Sequence, residues 1–230
     1  MPVTLNAAGT QASTNLATSV TYTGLTIAAG SNLVLAVSIV WLSTPGAITV
    51  ANWDNAGTPQ ALGAAIQTAT GVNGHVASVF GLVAPTTGNK TLQITWTSTT
   101  EYAVNCVAFN GADQTGGATT FSNSNTATGN NNSPSLGLTL PTDGAVVGAL
   151  GCGTSAVLNS VSATQLILVH GLGAVEMGGS YSTSSGTMTG ALSATDQWAM
   201  AGTGIKAFVA AAIPSPNPNM GRYIPFQQRF

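Results

Sequence analysis

Apolar and polar residues alternate along much of this chain with a period of two. The clearest case is Lys90–Ser98, where Leu92, Ile94 and Trp96 alternate with Thr91, Gln93 and Thr95. That spacing predicts a half-buried β-strand, with one face to a core and one to water. His75–Ala84 precedes it across the turn Pro85-Thr86-Thr87-Gly88-Asn89. Tyr102–Phe109 follows, closed by Asn110-Gly111, a pair that tolerates positive φ. The stretch from Gly74 to Gly111 therefore predicts an antiparallel meander, and the rest of the chain is organised around it.

Upstream, Ser19–Ile27, Asn32–Leu42, Ile48–Trp53 and Gln60–Ala69 predict four more strands. Asn32–Leu42 is the most apolar run and is rich in β-branched residues, so it predicts a central strand covered on both sides. Downstream come Leu136–Leu140, Ala145–Cys152, Thr164–His170, Ala174–Tyr181, Thr187–Leu192 and Gln197–Val209. Asn123–Asn132 is almost wholly polar and predicts an exposed loop or an edge strand. No window has a convincing helical period. The order of turns and strands in SVTYTGLTIAAGSNLVLAVSI is echoed by SPSLGLTLPTDGAVVGALGC, and the Gly74–Phe109 meander is echoed by residues 173–208.

The expected fold is all-β: a two-sheet antiparallel sandwich, jelly-roll-like, with an extended C-terminal arm. Each half would contribute about five strands to one sandwich, with two separate small β-domains as the other arrangement. The expected boundaries are an extended lead-in over 1–14, the sandwich over 15–213, and a Pro-rich aromatic arm over 214–230. The expected core includes Leu35, Val37, Ile39, Leu92, Ile94, Trp96, Val104, Cys106, Val147 and Ile205.

Charge changes the picture more than length does. Only 4% of the 230 residues are charged, against about 25% in an ordinary globular domain. The polar surface must therefore be built from hydroxyls and amides, which oppose close packing of copies only weakly. Four basic residues and a net charge of −2 exclude the electrostatic footprint of a nucleic-acid binder. The longest apolar run, Leu33–Leu42, is too short for a membrane-spanning helix. MPVTLNAAGTQAST has neither a basic nor an apolar leader region, which predicts synthesis in a host cytoplasm without a signal peptide. Cys106 and Cys152 lie in apolar strand-like runs and are expected to be buried, reduced thiols.

Candidate chemistry is sparse. The chain has no G-x-S-x-G and no Gly-Lys pair for a phosphate loop. Gly171-Leu172-Gly173 opens like a dinucleotide loop, but Glu176 replaces its last glycine. Glu101 and Glu176 qualify as a glycosidase pair only because acids are so few. His75 and His170 have no metal-ligand spacing. These absences predict a non-enzymatic protein without cofactor or metal. A glycan is the alternative ligand, because tryptophan rings stack on sugars. Trp41 and Trp96 read as core, leaving Trp53, Asp54 and Asn55 at a loop mouth as the candidate ligand surface. In the tail, Pro214, Pro216 and Pro218 predict an extended segment. It leads to Met220, Arg222, Tyr223, Ile224, Phe226, Arg229 and Phe230, an interface-like composition that makes these residues the candidate subunit contact.

Four phrases carry a family resemblance: VANWDNAGTPQAL (Val50–Leu62), VFGLVAPTTGNKTLQITW (Val79–Trp96), VAFNGADQTGG (Val107–Gly117) and WAMAGTGIKAF (Trp198–Phe208). Over residues 15–209 the chain resembles a β-sandwich module of tailed-bacteriophage virion proteins and related bacterial proteins. The resemblance transfers no catalytic residue. It implies a virion component, namely a head decoration protein, a minor capsid protein or a fibre subunit. Other virion subunits would be its partners, with homo-oligomerisation expected.

Overall fold

The computed structural model describes residues 1–10, 12–42, 46–72, 74–153, 156–162, 164–169 and 176–210. The arm, with Met220, Arg222, Tyr223, Ile224, Phe226, Arg229 and Phe230, lies outside the described residues.

The first half, residues 1–111, carries β1 (Thr4–Ala8), β2 (Ala12–Tyr22), β3 (Thr26–Ile27), β4 (Val34–Leu42), β5 (Ile48–Trp53), β6 (Gln60–Ala61), β7 (Gln67–Thr70), β8 (His75–Val83), β9 (Gly88–Asn89) and β10 (Leu92–Asn110). The second half opens with a single helical turn, α1 (Gly117–Thr120). It continues with β11 (Phe121–Asn131), β12 (Ser135–Gly137), β13 (Ala145–Cys152), β14 (Leu158–Val161), β15 (Thr164–Val169), β16 (Glu176–Ser182), β17 (Thr187–Leu192) and β18 (Asp196–Ile205). The fold is all-β and every ladder is antiparallel.

Among the described residues, each sheet draws its strands from one half only. In the first half an eight-stranded sheet runs β6-β5-β10-β4-β8-β7, with β1 and β2 also on β10. The two ends of β10 have different neighbours. Residues 92–96 lie beside β2 and β5, whereas 102–109 lie beside β4. The sheet curls, so Leu92, Ile94 and Trp96 from one end meet Leu35, Val37 and Ile39 of β4 in a single buried cluster. The second half has two separate sheets, β11-β18-β13-β16-β15 and β12-β17-β14. Between them lie Leu136, Leu150, Leu158, Met188 and Met200. The first half thus encloses its core with one curled sheet, and the second with two facing sheets.

All ten expected core residues are buried. Their alternation explains it: Leu35, Val37 and Ile39 face the inner cluster, whereas Val34, Ala36 and Val40, on the opposite face of the strand, face the second half. Both faces of β4 are therefore covered, as its continuous apolar run requires.

Several boundaries differ from the sequence reading. Within the expected lead-in over 1–14, Thr4–Ala8 and the start of Ala12–Tyr22 belong to the sheet, because both pair with β10. The expected meander over Gly74–Gly111 does not form: Lys90–Ser98 and Tyr102–Phe109 are one strand of 19 residues, and β8 pairs with β4 and β7, so that β4 lies between β8 and β10. Gln60–Ala69 is split, with Leu62–Ile66 outside strand geometry. Leu158–Val161 is an unforeseen strand that pairs with β17. The polar run at 123–132 is largely an edge strand, β11, held by β18 on one side. Its side chains work across the sandwich: Asn123 and Asn125 donate Nδ2 to the carbonyls of Thr139 and Gly137, at 3.1 and 2.9 Å.

Candidate functional site

Trp53, Asp54 and Asn55 sit where β5 turns toward β6. Trp53 is fully buried, and its indole Nε1 donates to the Thr86 carbonyl at 2.9 Å. Its ring presents no face to a sugar, so the solvent-facing tryptophan expected here is corrected: strand alternation carries the ring into the first-half core. Asp54 takes a left-handed φ of 55° and accepts from Lys90 Nζ at 3.1 Å. Burial raises its carboxyl, but the hydrogen bond and charge of Lys90 outweigh this and hold it below the usual carboxylate range. Gly57 is required here, because a Cβ would collide with the Asp54 carboxylate. Asn55 is half-buried, and its backbone N–H donates to the Thr91 carbonyl at 3.1 Å. Gln60 completes the corner, donating to the Ala84 carbonyl and accepting from the Thr86 N–H. The three residues come together as a brace between the β5–β6 turn and the segment from Ala84 to Thr91.

A second group of polar residues lies at one end of the second half. Asp196 is buried and accepts from the backbone N–H of Ala156 at 3.2 Å and of Gln197 at 2.7 Å. Glu176 Oε2 accepts from the Leu158 N–H at 3.4 Å. The Cys152 thiol contacts the Glu176 carbonyl at 3.7 Å. Its acidity is suppressed by burial first and then by the charges of Glu176 and Asp196, which push the thiol up to about 12. Both carboxylates therefore tether the 156–158 backbone, and the thiol beside them is not a nucleophile at neutral pH. Cys106 is likewise a free, buried thiol, raised by burial.

His75, at the start of β8, is fully buried, and neither ring nitrogen has a hydrogen-bond partner. Burial lowers its basicity, and the charge of Asp196 only partly opposes this. Gly71 makes room for it, since a Cβ there would strike the imidazole. The sequence showed the histidine, but nothing in it signalled an unpartnered ring.

Among the described residues, no group of three or more His, Cys, Asp or Glu is arranged to hold a metal ion, and no helix is long and apolar enough to cross a membrane. All four tryptophans are at most 7% exposed. A cleft of about 350 Å³ is lined by the hydroxyl residues Thr4, Thr164, Tyr181, Ser182, Thr183 and Ser184 together with Val3 and Leu5; the sequence reading did not anticipate it, because its residues come from both halves. No known protein family, curated protein or solved structure matches this chain.

Proposed function

We propose that this chain is a non-enzymatic structural protein of a phage particle, a head decoration, minor capsid or fibre component that assembles through contacts between subunits. The supporting observation is how its few ionisable groups are used. Asp54 and Lys90 brace a corner. Asp113 accepts from the Thr115 N–H and the Thr120 hydroxyl in the link between the halves. Asp196 and Glu176 tether a loop. These groups serve the scaffold and leave a surface of hydroxyls and amides, on which copies can pack without strong repulsion. The arm, through Arg222, Tyr223, Phe226 and its neighbours, supplies the candidate contact to another subunit. Virions of the host phage should contain the protein at a fixed copy number after density-gradient purification. Its absence from purified particles would refute the proposal. Deleting residues 214–230 should leave a folded β-protein that no longer attaches.

Glycan binding is the second reading, and the hydroxyl-lined cleft at Tyr181 favours it. Binding on a glycan array that is lost in Thr164→Trp would support it. Unchanged binding would place the ligand elsewhere.

A further inference from the structure

We infer that the seam between the halves is an isologous docking surface between two copies of one folding unit, residues 1–111 and residues 112–210, so that each half has the other as its partner. The inference is independent of the particle assignment.

The first observation is topological. Around β10, the central five strands of the first half run β1-β10-β4-β8-β7. Those of the second half run β11-β18-β13-β16-β15. The smaller ladders correspond as well. Residues 92–95 of β10 lie between β2 and β5, as β17 lies between β12 and β14. Each central strand, β4 or β13, begins two residues after a left-handed turn residue, Asn32 or Asp143, both at φ 55°.

The second observation is register. Val34 opposes Phe109 at one end of the β4–β10 ladder, and Trp41 opposes Tyr102 at the other. In the β13–β18 ladder Ala145 opposes Ile205, and Cys152 opposes Trp198. Val40 thus corresponds to Gly151, and Ala36 to Val147. These corresponding positions face each other. A Cβ on Gly151 would lie 2.8 Å from Val40 Cγ1, and Val34, Ala36 and Phe109 share one buried cluster with Ala145, Val147 and Ile205. A residue that packs on its own counterpart marks a two-fold relation, the signature of an isologous interface.

The third observation is that the two copies of the surface have diverged to fit each other. Gly81 opposes Ala36, and Tyr181 holds the corresponding place opposite Val147. The Phe121 ring occupies the space over Gly81, where a Cβ would collide with it. Tyr181 meets Phe109 edge-on at 5.6 Å. Two first halves would bring glycine to both sites and leave voids, which cost stability, so the first half is matched to the second.

The link between the halves is exposed at Thr115 and Gly117–Thr119, which allows the test. A full-length chain with a protease site inserted between Gly117 and Ala118 should, after cutting, elute as one complex at the volume of the intact protein. In the same background Gly81→Trp should separate the fragments, each keeping its strand-type far-UV spectrum. Wild-type fragments that separate on cutting would overturn the inference, and so would Gly81→Trp fragments that stay together. If the insertion prevents folding, calorimetry of the uncut Gly81→Trp chain decides. Two transitions, one per uncoupled half, support the inference, and a single transition overturns it.

Discussion

The first half closes one end of its core with three aromatic rings, Trp41, Trp96 and Tyr102; the second half keeps one ring there, Trp198 at the ladder position of Tyr102, and adds two carboxylates. In the first, Trp96 and Tyr102 stack at 4.8 Å with ring planes 17° apart, and Trp41 donates its indole to the Gly46 carbonyl at 2.9 Å. In the second, the ladder position of Trp41 is held by Cys152, which opposes Glu176. Asp196 accepts from the backbone N–H of Ala156, close to Cys152 in sequence. One strand order therefore accepts two ways of finishing an edge. Ring burial is strong and non-directional, and it fills volume. Carboxylates order a loop by accepting backbone N–H groups that would otherwise be unpaired. A sandwich end built the second way depends on each hydrogen bond being made.

The largest effects should come from the two apolar cores. Trp53→Ala should destabilise by about 3–5 kcal/mol and Leu150→Ala by about 2–5 kcal/mol, read from denaturant midpoints. A loss below about 1 kcal/mol in either would contradict the packing described for that half. Next comes the carboxylate end. Asp196→Ala leaves the Ala156 and Gln197 N–H groups without their acceptor and should cost about 1–3 kcal/mol. Amide exchange should quicken around residues 156–158 and remain slow in the first-half core, and equal quickening in both halves would mean the tether is not local. His75 gives an acid dependence. Its folded-state basicity is lowered by burial, so the unfolded chain takes up the proton first. Stability is fully present above about pH 6.5 and falls as pH drops through that value. His75→Met should flatten this limb, and an unchanged limb would assign it to the carboxylates instead. The smallest effect is chemical. Neither Cys106 nor Cys152 should react with a thiol reagent in the native protein. Cys152 should label first on mild destabilisation, since its surroundings depend on the tethers; prior labelling of Cys106 would reverse the ranking of the two ends.

The sequence showed the parts of the fold that rest on alternation. Leu92, Ile94 and Trp96 announce their common face, and the uninterrupted run of β4 announces cover on both sides. It could not show that β10 passes from one set of neighbours to another without a break, because the polar Ser98-Thr99-Thr100-Glu101 interrupts the apolar alternation. It is held as strand by β2 and by the Thr100 hydroxyl, which donates to the Leu42 carbonyl at 2.7 Å. The polar brace was half legible. Trp53-Asp54-Asn55 was recognised as one group, but strand parity at the end of β5 decides whether the indole points out or in, and it points in. The Asp196 and Glu176 tethers join strands from distant parts of the chain, so no local spacing announced them. The echo between halves was visible only as an order of turns. Few side chains correspond, because each seam position has diverged to fit its opposite number.

That every sheet closes within one half has a consequence for how the chain is made. Among the described residues, all strand partners of the first half are available once Asn110 has left the ribosome, so its ladders can form while the second half is still being made. Its outward face, with Val34, Ala36, Val79 and Phe109, must wait for Ile205. At about 5–20 residues per second the delay is roughly 5–20 s. During that interval a completed first half carries an uncovered apolar surface in a crowded cell. Chains arrested between the halves should therefore bind an apolar dye or a holding chaperone that the finished protein does not, and arrested chains that bind neither would show that this surface is protected in another way.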